Sequence, residues 1–313
     1  ASLINVDLLT YAGNVANMEG FTNYPGYLFV HADINDRRKL EPYFKEGLEA
    51  VINFAAESHV DRSIDAPIIF ARTNINGTLN LLSLAQRYGV KRFLQISTDE
   101  VYGTLGPEGL FTEQTPLAPN SPYAASKAGA DLLALAFYRT YGLPVLITRC
   151  SNNYGPYQFP EKLIPLVIIN AVRDEPIPLY GDGQQVRDWI HVEDHCRAIE
   201  KVLFDGRPGQ VYNIGASNEL TNLEVVRNIL QLVGKAESLI RFVADRPGHD
   251  RRYALAVEKI QGELGWEAQI DFGEGLAQTV TWYLKQQKWW SAILSGEYQD
   301  FYQRNYGFRL EGG

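Results

Sequence analysis

Thr98-Asp99-Glu100 follows directly on the apolar run Phe93-Leu94-Gln95-Ile96-Ser97. Tyr123 comes twenty-four residues after Asp99, and Lys127 four after that, in Ser-Pro-Tyr-Ala-Ala-Ser-Lys. A tyrosine and a lysine four apart share one face of a helix. A phenol ordinarily has a pKa of about 10, and a nearby ammonium favours the phenolate. The pair therefore suits proton removal from an alcohol that is being oxidised, with the tyrosine shifted down. Adjacent carboxyls repel when both are ionised, so one pKa rises, leaving an acid beside a base. That suits removal of water. Neighbours on an extended strand point to opposite faces, so Asp99 and Glu100 act on one substrate only where the chain has turned. A solvated acidic turn and an amphipathic helix with a surface Lys are the plain alternatives. Thr98, Asp99, Glu100, Tyr123 and Lys127 together, after a buried strand, predict an enzyme that oxidises and eliminates.

Such residues need a scaffold. Short apolar runs at 3–6, 27–30, 51–54, 93–96 and 145–148 read as buried parallel strands. Helical patterns lie between them at 37–45, 73–88 and 122–141, the last with Ser121 as N-cap and Pro122 at its first position. This alternation predicts an α/β fold with a doubly wound parallel Rossmann-type sheet. The second half is less regular, with clear helical patterns at 223–232 and 275–286. It reads as a smaller α/β lobe. The expected division is 1–149 with 189–215 for the dinucleotide, and 150–188 with 216–313 for the substrate.

No glycine-rich loop precedes the first apolar run, although such a fold needs one to bring backbone N–H groups to a pyrophosphate. Asn5-Val6-Asp7 reads instead as the end of a second strand, with Asp7 placed for a ribose hydroxyl. In the order 3-2-1-4-5-6 the first strand is central. The reading therefore expects the chain to lack that strand, its loop and a helix, roughly 25–30 residues, and the sheet to be interrupted there.

Bulk properties narrow the partners. The 313 residues are 45% hydrophobic and 21% charged with net charge -8. No basic stripe marks a nucleic-acid surface. No apolar run has membrane-spanning length, and no signal peptide is visible. Two cysteines, Cys150 and Cys196, fit a reducing cytoplasm and read as buried small hydrophobes. The five histidines are scattered. His191 and His195 stand four apart, but a capped helix start explains them better than a metal, so no metal is expected. In Phe54-Ala55-Ala56-Glu57-Ser58-His59 the small residues let a cofactor lie close, and the polar ones sit at a cleft. Lys162, Arg187, Arg246 and Arg251 occur in loop-like context and suit a diphosphate.

With these residues in view, the sequence resembles the extended short-chain dehydrogenase/reductase family, and within it the branch that dehydrates dTDP-glucose. The resemblance runs nearly end to end. It includes Asp7-Leu8-Leu9-Thr10-Tyr11-Ala12-Gly13-Asn14, Ala55 to Ser63, Ser97 to Gly103, Ser121-Pro122-Tyr123, Arg149 to Pro156, Arg187-Asp188-Trp189 and Asp245 to Asp250. Tyr-x-x-x-Lys marks the superfamily, whereas Thr-Asp-Glu is far more specific.

The resemblance implies NAD as cofactor and dTDP-glucose as substrate, with Tyr123, Lys127, Thr98, Asp99 and Glu100 catalytic. It implies that Asp7, Leu8, Leu9 and Thr10 hold the adenosine ribose, that Asp33 and Ile34 flank the adenine, and that Phe54, Ala55, Ala56, Glu57 and Ser58 line the cofactor. Thr73 and Asn153 touch it as well. Ser58, Thr98 and Asn152 meet the sugar. Lys162, Leu163, Pro178, Leu179, Tyr180, Arg187, Asn222, Asp245, Arg246, Pro247, Gly248 and His249 surround the nucleotide diphosphate. A homodimer through helices 73–88 and 122–141 is also implied. Ala254 to Glu258 departs from the family's usual helix start, which predicts a weaker cap. A 4-epimerase, a decarboxylase and a cofactor-binding protein without turnover stay open at this point.

Overall fold

The computed structural model describes residues 2–294. Its first half alternates strands and helices. β1 (Leu3–Asp7) pairs in parallel with β2 (Tyr27–His31), and α1 (Arg37–Lys45) follows with Asp36 as its N-cap. β3 (Ala50–Asn53), β4 (Arg92–Thr98) and β5 (Val145–Cys150) are parallel neighbours. After them come β6 (Asn152–Tyr154), β7 (Ile177–Tyr180), β8 (Val186–His191) and β9 (Val211–Ile214). β9 extends the sheet beyond β5, giving the order β3-β4-β5-β9.

The sheet is interrupted where the sequence reading places an absent strand. β1 and β2 form a separate pair, and among the described residues no strand joins β1 to β3. Both pieces nevertheless share one core, with Val6, Val30 and Val51 packed against it. The pleat of β4 explains its two-sided burial. Phe93 faces the core under α1, while Leu94 and Ile96 face the opposite one.

The helix expected at 73–88 is longer and differently wound. α2 (Val60–Asp65) precedes a continuous helical run made of α3 (Pro67–Phe70), a π-wound stretch (Ala71–Gly77) and α4 (Thr78–Arg87). Pro67 sits at its first position, where the missing N–H costs nothing. α5 (Pro122–Tyr141) has the expected bounds, starts at the Ser121 cap and stops at left-handed Gly142.

α7 (Val192–Asp205) and α9 (Glu258–Leu264) cover the core of Leu94 and Ile96, while α6 (Leu163–Val172), α8 (Asn222–Val233), α10 (Phe272–Lys285) and α11 (Gln287–Leu294) pack on a third core. That core joins α6, α8 and α10 through Ile168, Ile229 and Leu276. Beside it lie the three-stranded sheet β10-β8-β6, with β10 at Glu219–Thr221, and the pair β11-β7, with β11 at Ile240–Val243. α9 begins at Val257 without a side-chain cap, as the departure at Ala254 to Glu258 predicts. Cys196, expected to be buried, is exposed, because it lies on the outer face of α7; Cys150 is half-buried. No described helix is long and apolar enough to cross a membrane.

Candidate active site

The site gathers at the carboxyl ends of the parallel strands, where α/β sheets bind ligands. β4 stops at Thr98, and the next residues, Asp99–Tyr102, wind into a 3-10 turn. Thr98 Oγ1 caps that turn, accepting from the Glu100 N–H at 3.3 Å. Asp99 and Glu100 have therefore left the alternating strand geometry, as a shared substrate requires. Gly103 closes the turn at φ +87°, and a Cβ there would meet the Ala118 carbonyl oxygen at 2.4 Å. Only glycine fits both constraints.

Asp99 is 2% exposed. Burial and the neighbouring Glu100 carboxylate raise its pKa to about 8. Its Oδ1 accepts from Thr98 Oγ1 at 3.2 Å, while Oδ2 has no hydrogen-bond partner among the described residues. Burial also raises Glu100, with Arg246 and Arg187 opposing.

Tyr123 lies at the second position of α5 and Lys127 one turn on, both buried. The expected lowering of the tyrosine is not what this arrangement produces. Burial pushes the Tyr123 phenol well above its ordinary value, and Glu100 adds to that; the Thr98 side chain, hydrogen-bonded to it, opposes. Lys127 directs its ammonium at the Ile96 carbonyl oxygen at 2.6 Å instead. Burial lowers the lysine and Asp131, one turn further along, opposes that.

Beyond Glu100 opens a cleft of about 180 Å³. Of the five catalytic candidates, Glu100 alone lines it. Most of the expected substrate residues form its wall: Ser58, Asn152, Lys162, Leu163, Pro178, Leu179, Tyr180, Arg187, Asn222, Arg246 and His249. Thr98 instead stands behind the wall beside Tyr123. Asp245, Pro247 and Gly248 belong to the same loop as Arg246 but do not line the cleft. Asp245 fastens the loop, accepting from Gln185 Nε2 at 3.0 Å and lying in hydrogen-bond contact with His249 Nδ1 at 2.6 Å. Arg251 also lies outside the cleft, since it pairs with Asp182 at 2.8 Å on the surface.

The cleft wall holds three cations, Lys162, Arg187 and Arg246, and three acids, Asp61, Glu100 and Glu161. Lys162 Nζ donates to the Ser58 carbonyl at 3.0 Å, joining the two halves of the wall. Arg246 approaches Asp61 at 3.6 Å, and Tyr180 donates to Asp61 at 2.8 Å. His249 is held neutral, with burial and Arg246 lowering its pKa to about 4.

The cofactor candidates occupy the neighbouring strand ends. Asp7 ends β1 and accepts from the Leu9 N–H at 2.7 Å, with Leu9 in left-handed backbone at φ 51°. Leu8 and Thr10 are exposed beside it. Asp33 follows β2 and bonds Asn35 and Arg72, while Ile34 is buried. Phe54 directly follows β3 and is 58% exposed, with half-buried Ala55, Ala56 and Glu57 and exposed Ser58 after it. Thr73 lies in the π-wound stretch, and Asn153 in β6 is tied to His195 Nδ1 at 2.8 Å.

Carboxylates at Asp7 and Asp33, an exposed ring beside small residues at Phe54, and the buried Tyr123–Lys127 pair fit a dinucleotide at its adenosine and nicotinamide ends. Among the described residues, no group of three or more His, Cys, Asp or Glu is placed to hold a metal.

Several supporting residues carry no sequence signal. Asn74 clamps the Glu57 backbone from both sides, accepting at 2.8 Å and donating at 3.0 Å, and also donates to Ser126 Oγ at 2.8 Å. It thereby ties the cofactor loop to α5. Asp131 on α5 pairs with Arg149 on β5 at 2.9 Å, both buried. Val60, Asp61, Glu161, Leu166, Trp189 and Tyr253 complete the cleft wall together with His59, which the sequence already places at the cleft.

A parallel sheet with a Tyr–Lys pair at the start of a helix packed on it defines the extended short-chain dehydrogenase/reductase class. A family profile described as GDP-mannose 4,6 dehydratase matches residues 1–279. The dTDP-glucose 4,6-dehydratase of Xanthomonas campestris pv. campestris is 53% identical, over 95% of this chain and 90% of its own length. That of Escherichia coli is 48% identical over the same shares. Among solved structures, the dTDP-glucose 4,6-dehydratase DesIV of Streptomyces venezuelae, crystallised with NAD bound, superposes with a TM-score of 0.92 at 52% identity, covering 93% of this chain and 90% of that one. A UDP-glucose 4-epimerase of Thermotoga maritima has the same fold at a TM-score of 0.85, with 30% identity, 91% of this chain and 92% of that one. The chain belongs to the dTDP-glucose 4,6-dehydratase family.

Proposed function

We propose that this chain converts dTDP-glucose to dTDP-4-keto-6-deoxyglucose with NAD as its cofactor. The observation that carries this reading is the 3-10 turn after β4, which puts two carboxyls with raised pKa values beside Tyr123. Oxidation at C4 alone would not need Asp99, so the turn favours elimination over epimerisation. Asp7, Leu8, Leu9 and Thr10 would hold the adenosine ribose, Asp33 and Ile34 the adenine, and Phe54 to Ser58, Thr73, Asn153, Tyr123 and Lys127 the rest. When bound, NAD accepts a hydride from C4 and returns one to C6, so it is regenerated in each cycle.

The chain's own groups manage the protons. Tyr123 Oη takes the proton of the C4 hydroxyl, with Thr98 beside it. Tyr123 does this as the phenolate: burial and Glu100 hold the proton on the phenol of the free chain, and the positive charge of a bound oxidised nicotinamide would favour its loss before the alcohol is oxidised. Once C4 is a ketone, the C5 hydrogen is acidic, and the Glu100 carboxylate removes it at the cleft wall. Asp99 is protonated below about pH 8 and gives its proton to the departing C6 hydroxyl, which leaves as water. Lys162, Arg187 and Arg246 balance the diphosphate, and Asn152, Ser58 and Asn222 orient the substrate. The division into an NAD lobe (1–149 and 189–215) and a sugar-nucleotide lobe (150–188 and 216–313) follows from this assignment.

We also assign the chain to a cytoplasmic homodimer that pairs through α5 and the helix 73–88, the part of the helical run that ends in α4. Mass spectrometry after incubation with dTDP-glucose tests the function. Loss of one water without net NADH supports it, while an unchanged mass or stoichiometric NADH release rejects it.

A further inference from the structure

Asp250 lies outside every role assigned so far, yet three parts of the site meet on it. It is 6% exposed. Its Oδ1 accepts from Asn120 Nδ2 at 2.6 Å and its Oδ2 from the Tyr253 hydroxyl at 2.5 Å. Its carbonyl oxygen accepts from an Arg187 guanidinium N–H at 2.9 Å. Asn120 directly precedes Ser121, the cap of α5, and so stands three residues before Tyr123. Arg187 stacks over the Tyr253 ring at 4.3 Å and faces Glu100 and Asp99 electrostatically. On the other side of Asp250 lie Arg246 and His249 in the cleft wall.

A second contact supports the same connection. Gly248 packs so closely on the Asn120 carbonyl that a Cβ would come within 2.7 Å of it, and its φ is +66°. The loop from Asp245 to Asp250 is thus seated on the peptide that opens the catalytic helix. Hydrogen bonds to a charged acceptor contribute more than neutral ones, and losing one partner leaves the other buried and unsatisfied.

We propose that Asp250 is a positioning residue that couples occupancy of the diphosphate end of the cleft to the placement of Tyr123. This rests on the dehydratase reading, in which Arg246 and His249 meet the nucleotide diphosphate. A charge arriving at Arg246 stiffens the loop, and the Asp250–Asn120 hydrogen bond with the close packing of Gly248 on the Asn120 carbonyl carries that constraint to the first turn of α5. Binding at the nucleotide end then orders the phenol at the sugar end.

The test measures hydrogen exchange of the segment 120–126 in the intact enzyme, with and without saturating dTDP, and single-turnover C4 oxidation of dTDP-glucose. In the wild type, dTDP should slow exchange of this segment severalfold. In Asp250→Ala, dTDP at saturation should leave exchange unchanged, and the oxidation rate at saturating dTDP-glucose should fall roughly tenfold or more, with KM changed much less. Asn120→Ala, which touches neither ligand, should slow oxidation in the same direction. The double variant should be no slower than Asp250→Ala alone, because neighbours in one network are not additive. Asp250→Asn keeps the shape and an acceptor for Asn120 and should recover most of the rate.

Equal slowing of exchange in the wild type and Asp250→Ala would overturn the coupling. So would a loss of dTDP affinity with the oxidation rate intact, or additive effects of the two alanine variants. A wild type that dehydrates dTDP-glucose but shows no exchange response rejects the coupling alone. A wild type that neither binds dTDP nor releases water rejects the functional reading, and the coupling with it.

Discussion

Asp99 keeps its proton because ionising it would put a second charge in a dry site next to Glu100. Its pKa of about 8 makes it a competent acid near neutrality, so the elimination step should slow as pH rises through about 8. Asp99→Asn cannot donate that proton. It should keep C4 oxidation but lose dehydration by about 100- to 10,000-fold, seen as an NADH absorbance that rises in a single turnover and does not decay. Tyr123→Phe should lose the rise itself. An equal loss of the rise in both variants would contradict the two roles. The same burial has a price in stability. The folded pKa lies above the ordinary value of about 3.9, so between these values the native state binds more protons than the unfolded one. Stability from this group is then full below about pH 4 and is lost as pH rises through about 8. Asp99→Asn is free of this loss. Its melting temperature should gain on the wild type between about pH 4 and about pH 8; a difference that stays constant over that range would show that Asp99 does not titrate as described.

Elements hold these groups through contacts far apart in sequence. The Asp131–Arg149 pair locks α5 to β5, and Arg149 also donates to the Tyr102 hydroxyl at 3.0 Å, just past the catalytic turn. Breaking a buried pair from one side strands a charge and costs about 3–5 kcal/mol. Asp131→Ala should lose about that much in urea unfolding, and replacing both partners by apolar residues should restore most of it. A single-variant loss below about 1 kcal/mol would mean that the pair is solvated in solution. Local pattern made part of this legible. The bounds of α5, its cap, and the turn after β4 could be read from Ser121-Pro122 and from a run of buried residues ending in polar ones. Asn74, Arg149, Asp61 and Tyr253 could not, since each is an ordinary polar residue until folding brings its partner from 17 or more positions away. The π-wound stretch is not legible because seven residues between two α-helical segments are too few to show a hydrophobic period of their own. α6 was missed because it is buried all round, as Leu163-Ile164-Pro165-Leu166-Val167-Ile168-Ile169 shows no polar face. The Tyr123 phenol shifts up, against the expectation from spacing, because burial dominates it, and spacing shows neither that burial nor that Ile96 takes the Lys127 ammonium.

At the scale of the whole molecule, one surface is too apolar for a helix pair facing water. Ile68 is 82% exposed, Ile69 51%, Leu132 59% and Leu79 38%. They lie on α3, α4 and α5, which pack against one another on the same side of the sheet. The inner faces of α4 and α5 already cover the core through Leu82, Leu84 and Ala134, so the exposed residues are not needed there and are available to the proposed interface. Scattered surface apolar residues need no partner, but a contiguous patch marks an interface. Two copies related by a two-fold axis would bring the same faces together in a four-helix contact. The arrangement also bears on catalysis, because α5 carries Tyr123 and Lys127 at its buried start and the proposed interface along its outer side. Light scattering at micromolar concentration should therefore give twice the chain mass of 35.2 kDa. Leu132→Glu would place a charge in the middle of the contact and should yield a monomer, with C4 oxidation slowed as the first turn of α5 loses its support. A wild type of single-chain mass, or a Leu132→Glu variant that still dimerises, would reject the helix-mediated pairing.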